Sequence, residues 1–146
     1  MSEHRFDLQA EWTGGLDGTG RIRTGSLAAA ISVPSQLDGP GIGTNPEEML
    51  LGAAATCYLI TLGMLLKRQG IASLELKSEI YVENFPAMKV NRIIHRPQIL
   101  AAASTPPEQL DKISKAAHRA EQTCMISKAL KGNVEVTVEP VIQFHD

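Results

Sequence analysis

The feature that most limits what this chain can fold into is an uncharged run of 18 residues, 49–66. The run reaches the lower limit of length for a membrane-spanning helix. Alanines, threonines, glycines and a cysteine dilute its hydrophobicity, however, and the rest of the chain has the pattern of a soluble protein. A helix that is apolar on all sides can equally form the centre of a packed protein. We therefore predict a buried central helix rather than a membrane span.

The start of this helix carries a capping pattern. Asn45 is suited to the N-cap, Pro46 to the first helical position, and Glu48 falls where it can complete a capping box. Glu47 has no such role, and its plain interpretation is a surface charge favoured by the helix dipole. Gly70 is expected to end the helix.

The remaining sequence predicts short strands and a second helix. Alternating apolar and polar residues between turn-forming residues are typical of half-buried strands. The order of strands, helix, hairpin, helix and strand predicts an α+β fold with a mostly antiparallel sheet. At 146 residues the chain is expected to form one domain, 1–146. The predicted strands cover residues 6–12, 21–24, 27–33, 74–83, 90–99 and 134–144, and the second helix covers residues 107–123 with a short continuation to 130.

The second helix carries a cysteine on its apolar side. Thr105 and Glu108 predict a second capping box at its start. Apolar residues then follow at spacings of three and four, which places them on one helix face: Leu110, Ile113, Ala117, Ala120 and Cys124. Cys124 is therefore expected to point toward the core, as Cys57 does from the first helix. The periodicity permits the two thiols to meet but does not require it.

These two cysteines, Cys57 and Cys124, are the chain's full complement. The N-terminus has no apolar segment typical of a signal peptide, so we expect a cytoplasmic protein. A structural disulfide is not expected in a reducing compartment. The thiols are then either buried and inert or form a redox or catalytic pair. Their spacing does not predict a zinc site.

Other classes of function have little support in the sequence. The net charge is −2 and both signs are interspersed, so the sequence does not predict a basic surface that would bind nucleic acid. The glycine-rich loop at residues 39–43 lacks the lysine and hydroxyl residue of a phosphate-binding loop. No metal or flavin motif is found. His95, His118 and His145 are predicted to be solvated, on a strand, a polar helix face and the C-terminal tail.

Two motifs resemble those of a known family. Residues 43–58 read G-T-N-P-E-E-M-L-L-G-A-A-A-T-C-Y, and residues 120–130 read A-E-Q-T-C-M-I-S-K-A-L. With W-T-G-G near the start and N-V-E-V-T-V-E near the end, they resemble the OsmC/Ohr family of osmotically inducible and organic hydroperoxide resistance proteins. The resemblance implies an OsmC-like fold, with antiparallel sheets around a long buried central helix. It also implies an intertwined homodimer with two active sites at the interface.

The resemblance further implies a thiol-dependent peroxidase that reduces organic hydroperoxides. Cys57 matches the peroxidatic cysteine, Cys124 the resolving cysteine and Glu47 the carboxylate of the site. In the implied reaction Cys57 becomes a sulfenic acid and Cys124 condenses with it to a disulfide. An external dithiol, such as a lipoyl group on a protein, would restore both thiols. No bound cofactor, metal, nucleic acid or membrane is expected.

The chain departs from the family at the arginine that stabilises the thiolate. Leu16 stands at one position expected for it, and residues 33–37 at the other contain no arginine. Arg21 and Arg23 are the nearest substitutes, although both fit equally well as exposed strand charges. Met125 stands where many members have proline. The missing arginine keeps open an alternative: a protein that binds a small apolar ligand without efficient peroxidase activity.

Glu47 and Cys57 raise a geometrical problem on a single straight helix. Ten residues separate them, which corresponds to about 15 Å along the axis and roughly 80° around it. A glutamate side chain cannot bridge that distance. We therefore expect Glu47 to serve the site of the other subunit in a dimer.

Overall fold

Two β-sheets and three α-helices make up residues 2–146, the part of the chain that the structure, a computed structural model, describes. The contacts within the chain divide it into two compact units, one ending at Met49 and the other beginning at Leu50. The expectation of one domain, 1–146, stays a prediction.

The first unit is built on a three-stranded antiparallel sheet. Its strands are β1 (Gln9–Thr13), β2 (Thr19–Thr24) and β3 (Leu27–Ile31), in that order across the sheet. Gly43 in the loop that follows has a positive φ of +69°, and a Cβ there would lie 2.1 Å from the Ala30 carbonyl oxygen. Glycine is therefore required where this loop returns along β3.

The long helix α1 (Pro46–Lys67) begins as the sequence predicts. The Asn45 side-chain oxygen accepts a hydrogen bond of 2.9 Å from the Glu48 backbone amide, which confirms the N-cap. The second half of the expected capping box is not formed, because the Glu48 carboxylate accepts from the Thr44 hydroxyl instead, at 2.9 Å. The helix ends before Gly70, whose φ of +77° suits glycine.

In the second unit, α1 buries one face and exposes another. Its buried residues recur every four positions: Ala54, Tyr58, Leu62 and Leu66. Ile60 and Met64, in contrast, are 63% and 59% exposed. In the single chain, the sheet and the two helices that follow β5 cover one side of α1, and burial on all sides stays a prediction. By length and composition α1 could also cross a membrane, a test that the core helix of a soluble protein passes as well.

The sheet of the second unit is mixed, which corrects the expectation of antiparallel sheets. The 14-residue strand β5 (Lys89–Ala102) pairs with β4 (Leu74–Glu83) in antiparallel fashion. It pairs in parallel with β6 (Glu135–Val138) and with β7 (Val141–His145). The helices between β5 and β6 form a crossover, which returns the chain in its original direction.

The last predicted strand, residues 134–144, is two strands in the structure. Pro140 lies between β6 and β7 and has no backbone N–H to donate to a ladder. The Glu139 amide still donates to the His95 carbonyl at 2.9 Å, so both short strands stay on β5.

The two remaining helices are α2 (Pro107–Thr123) and α3 (Met125–Leu130). The apolar stripe of α2 packs on α1 and β5, and the fully buried members of this cluster are Tyr58, Leu62, Leu66, Ile99, Ile113, Ala117 and Ala120. The predicted capping box of α2 is wrong. Pro106 is the N-cap and the Thr105 hydroxyl donates to the Ala102 carbonyl at 2.6 Å. Pro107, the first helical residue, has no N–H that would need a cap.

Candidate redox-active thiol site

The structure brings the two thiols together. Cys57 lies half-buried on α1, and Cys124 is fully buried at the junction of α2 and α3. Cys124 has extended backbone angles, φ −62° and ψ 128°, so the chain turns at this residue. It is the C-cap of α2 and the N-cap of α3. The prediction that Cys124 faces the core is confirmed. Both cysteines are free, and their side chains share a hydrogen bond.

Opposing effects set the pKa of the Cys57 thiol. Burial raises it, because a thiolate loses solvation. Hydrogen bonds from the Cys124 thiol, from the backbone amides of Ile126 and Met125 and from the Thr61 hydroxyl lower it. The hydrogen bonds outweigh burial, so the pKa of Cys57 lies below the ordinary cysteine value.

The pKa of Cys124 shifts the other way. Burial raises it, and the hydrogen bond to Cys57 raises it further, because Cys124 is the donor. The backbone amide and hydroxyl of Ser127 and the amide of Ile126 lower it, but not enough to offset these effects. Cys57 is therefore the thiol that ionises first, while Cys124 keeps its proton.

The backbone amides that face Cys57 come from the first turn of α3. An amide at a helix start has no partner within its own helix and can donate to a nearby anion. The resemblance to the OsmC/Ohr family implied an arginine for this purpose. That expectation missed the amides of Met125 and Ile126, since no local pattern shows that the start of one helix meets the middle of another.

The Thr61 hydroxyl has two acceptors within reach. It lies one helical turn after Cys57 and donates to the Cys57 backbone carbonyl at 2.9 Å. It also lies against the Cys57 sulfur, where it favours the thiolate. A hydroxyl has one proton to donate, so Thr61 can release the carbonyl and donate to the sulfur when the thiol ionises.

His95 is buried, so the prediction that it is solvated is wrong. Its ring stacks on that of Tyr58, with centroids 4.6 Å apart and planes at 9°. Its Nδ1 lies 2.7 Å from the Ser78 hydroxyl, while Nε2 is buried and has no hydrogen-bond partner within residues 2–146. Burial lowers the pKa of His95 to about 4. The sequence could have predicted this burial, because residues two apart in a strand share one face. On β5, His95 shares its face with the buried Ile93, Pro97 and Ile99.

Tyr58 connects the cysteine helix to its surroundings. The residue is fully buried, and its hydroxyl donates to the Ala117 carbonyl on α2 at 2.8 Å. Burial raises the pKa of the Tyr58 phenol, and the nearby Glu121 and Cys124 raise it further. Tyr58 therefore stays neutral, ties α1 to α2 and β5, and holds the backbone of the adjacent Cys57 in place.

No cation is among the groups that shift the pKa of Cys57 within residues 2–146. Arg21 and Arg23 lie on β2 in the first unit, with exposed side chains on either side of the buried Ile22. Arg23 donates to the Gln9 side chain at 3.4 Å. Leu16 is 84% exposed in the turn before β2. In the second unit, thiol and amide donors thus take the place of the arginine that the resemblance implied.

Glu47 lies on the first turn of α1, in the first unit. Its Oε2 atom is shielded from solvent and has no hydrogen-bond partner among the described residues. The continuous helix keeps Glu47 about 15 Å along the axis from Cys57, as its ten-residue spacing requires. The structure therefore brings Cys57 and Cys124 together in the second unit, while Glu47 belongs to the first.

Two cavities have linings without a cysteine. One, of about 800 Å³, is lined in the first unit by residues that include Gln9, Glu11, Arg21 and Arg23. The other, of about 400 Å³, lies between α1 and α2. Within residues 2–146 no group of three or more histidine, cysteine, aspartate or glutamate side chains could hold a metal ion.

The sequence and the fold are matched in known proteins. The family model described as OsmC-like protein matches residues 39–139, a span that includes both cysteines. The chain belongs to the OsmC-like protein family. Its resemblance to the OsmC/Ohr family, inferred from the motifs around Cys57 and Cys124, is thereby confirmed.

Relatives of this OsmC-like protein include chains of almost the same length. The uncharacterized protein YmaD of Bacillus subtilis (strain 168) is 41% identical over 146 residues, which cover 98% of this chain and 97% of that one. The organic hydroperoxide resistance protein of Xanthomonas axonopodis pv. citri (strain 306) is 26% identical over 136 residues, covering 91% and 92%.

The α+β fold is also that of solved structures in the family. The crystal structure of an organic hydroperoxide resistance protein OsmC from Legionella pneumophila aligns with a TM-score of 0.72 at 22% identity. The alignment covers 94% of this chain and 98% of that one. At this identity the likeness concerns the fold alone.

Proposed function

We propose that this OsmC-like protein is a thiol-dependent peroxidase that reduces organic hydroperoxides, with Cys57 as the peroxidatic and Cys124 as the resolving cysteine. The observation that carries the proposal is the hydrogen-bonded contact between the two thiols, whose pKa values move in opposite directions. This contact leaves Cys57 as the thiol that ionises first and keeps a protonated Cys124 beside it, as the two steps of a peroxidase require. The names of relatives such as the Xanthomonas protein point to the same chemistry.

The reaction balances with these two residues and one external reductant. The Cys57 thiolate attacks the distal peroxide oxygen and the O–O bond breaks. The alkoxide takes up a proton and leaves as an alcohol, while Cys57 becomes a sulfenic acid. Cys124 then attacks the Cys57 sulfur, which gives a disulfide and water. A dithiol, which we propose to be a lipoyl group on a protein, reduces the disulfide by exchange and is itself oxidised.

Each contact of Cys57 has a role in this sequence. The amides of Met125 and Ile126 stabilise the thiolate before attack. The Cys124 thiol donates its hydrogen bond in the resting state and lies within reach for the resolving step. Tyr58 anchors the turn of α1 that carries Cys57. Thr61 donates to the Cys57 carbonyl in the resting state and can donate to the sulfur once the thiol has ionised.

The functional unit that we propose is a cytoplasmic homodimer. The exposed face of α1, with Ile60 and Met64, supports this assembly, because apolar side chains on a long helix are stabilised when a second copy covers them. The shielded and unpartnered Oε2 of Glu47 also supports it. In the dimer Glu47 would reach the thiol site of the other subunit.

A mass measurement tests the proposed chemistry. One equivalent of an alkyl hydroperoxide is added to the reduced protein, and intact mass and free thiols are then counted. We expect a loss of two hydrogens and of both thiols, as Cys57 and Cys124 join. An unchanged mass with two free thiols would reject the proposal.

That outcome would favour the second candidate, a protein that binds a small apolar ligand without efficient turnover. The observation in its favour is the absence of an arginine among the groups that act on Cys57. A binding protein would leave the hydroperoxide intact, and the bound molecule could be recovered unchanged after denaturation.

A further inference from the structure

A concave basic surface lies between the end of α1 and the outer face of α2. It encloses about 400 Å³, within the range of small-molecule sites, and we call it the basic cleft. Its lining residues are Leu65, Arg68, Gln69, Lys112, Lys115, Ala116 and Arg119. All of them belong to the second unit, and none has a part in the thiol chemistry proposed above.

The shape of the basic cleft follows from the two helices. Lys112, Ala116 and Arg119 recur at spacings of four and three, so they share one face of α2. At the end of α1, the Gln109 side chain donates to the Gln69 carbonyl at 2.9 Å and ties the helices together. The lining of the cleft therefore lies on α1, on α2 and, for Arg68 and Gln69, in the turn that follows α1.

The floor and the rim of the basic cleft differ in chemistry. Leu65 and Ala116 form the floor, since both are half-buried and pack on the core cluster around Leu62 and Ile113. The rim consists of four cationic side chains that are all exposed: Arg68, Lys112, Lys115 and Arg119.

Most of these cations lack a counterion. Lys115 pairs with Asp111 at 2.8 Å. Arg68, Lys112 and Arg119 make no ion pair within residues 2–146. The chain as a whole carries a net charge of −2, so a general excess of basic residues does not explain the cluster.

We propose that the basic cleft binds an amphipathic anion, a carboxylate or phosphate head on an apolar chain. Arginine and lysine donors at the rim would bind the head through charge-assisted hydrogen bonds, which are stronger than neutral ones. The apolar floor would cover the first part of the chain, which removes hydrocarbon from water. An anion without a chain would leave the floor exposed, and a neutral chain would leave the cations unpaired.

The test uses decanoate as the probe, below its micellar concentration, with 1-decanol and acetate as partial probes. Binding is followed by ¹H–¹⁵N NMR shifts of the full-length protein at low salt. We expect decanoate to shift the amides of the last turn of α1 and of the adjoining face of α2, and to bind at least tenfold more tightly than either partial probe. Decyl phosphate in place of decanoate distinguishes a phosphate head from a carboxylate head.

Paired substitutions separate a site from a general effect of charge. The variant Lys112→Gln/Arg119→Gln should bind decanoate about tenfold or more weakly, since two charged donors are lost. The control Lys77→Gln/Lys128→Gln changes net charge equally at exposed positions outside the basic cleft and should bind within twofold of the natural protein. Arg68→Gln, in the turn that follows α1, provides a second variant if the first does not fold.

Several results would overturn the proposal. Equal weakening in the control pair would show that only net charge matters. If 1-decanol bound as tightly as decanoate, the cations would not be needed for binding. If acetate bound as tightly as decanoate, the apolar floor would not be needed. Shifts confined to other parts of the chain would place the ligand elsewhere. Because the test measures binding and not peroxide turnover, its outcome is independent of the proposed peroxidase activity.

Discussion

The His95 ring lies parallel to the Tyr58 ring at a centroid distance of 4.6 Å, and Tyr58 is the residue directly after Cys57. This stack joins the middle of β5 to the turn of α1 that carries the reactive thiol. His95 is neutral in this position, because burial lowers its pKa to about 4. The stability of the site should therefore depend on pH.

The first prediction concerns that dependence. The folded protein holds His95 at a pKa of about 4, whereas a histidine in the unfolded chain titrates near its ordinary pKa of 6.5. Between these values the unfolded state binds more protons, so the free energy of unfolding falls as pH falls from about 6.5 to about 4. The contribution is about 1.4 kcal/mol per pH unit within that window.

Urea unfolding of the natural protein and of His95→Phe, at pH 7, 6 and 5, measures the contribution of His95 to the free energy of unfolding. The carboxylates titrate in both proteins, so the difference between the two curves isolates His95. The natural protein should lose more stability than the variant as pH falls. Parallel curves would mean that His95 gains no proton on unfolding. The variant Ser78→Ala keeps the histidine and serves as a control for the lost hydrogen bond at Nδ1.

The second prediction separates the roles of the two cysteines. Cys57→Ser should abolish peroxide consumption, because the nucleophile is lost. Cys124→Ser should react once and accumulate a sulfenic acid at Cys57, because nothing resolves it. Stopped-flow peroxide consumption together with a sulfenic-acid probe and mass spectrometry distinguishes these outcomes. Complete loss of the first turnover in both variants would reject the assigned order.

The third prediction concerns the amides of α3. Met125→Pro removes the backbone N–H that faces Cys57 while keeping a residue that the first helical position accepts. The pKa of Cys57 should therefore rise. Met125→Ala, which keeps the amide, should leave that pKa unchanged.

The pH dependence of the iodoacetamide alkylation rate at Cys57 measures this pKa in both variants. The measurement is made in proteins that also carry Cys124→Ala, so that a single thiol is followed and no donor remains at position 124. This background lacks the hydrogen bond from Cys124. The pKa of Cys57 in it should therefore already lie above the pKa of Cys57 in the natural protein. No difference between the proline and alanine variants would show that the Met125 amide does not stabilise the thiolate.

The fourth prediction follows from the distance between Glu47 and Cys57 on α1. In the proposed dimer each site combines Cys57 of one chain with Glu47 of the other. Glu47→Ala and Cys57→Ser proteins should each be nearly inactive, and a mixture should regain activity as heterodimers with one intact site form. Native mass spectrometry of the mixture verifies the exchange. Exchange without recovery would mean that Glu47 does not serve a site across the interface.

Much of the local structure was predictable from the sequence. The bounds of α2 and β4, the capping of α1 by Asn45 and the end of that helix at Gly70 all agree with the patterns. Each of these depends on hydrogen bonds and side-chain spacing within a few residues. The inward direction of Cys124 belongs to the same class, because helical periodicity alone sets it.

The tertiary structure decided what depends on residues far apart in the chain. Strand direction in the second sheet depends on how α2 and α3 return the chain to β5, and periodicity carries no information about that path. The burial of His95 needed α1 to lie across β5. The ionisation of Cys57 depends on a thiol 67 positions later, 124 − 57, and on the amides beside it, which only the packing of α3 against α1 brings within hydrogen-bond range.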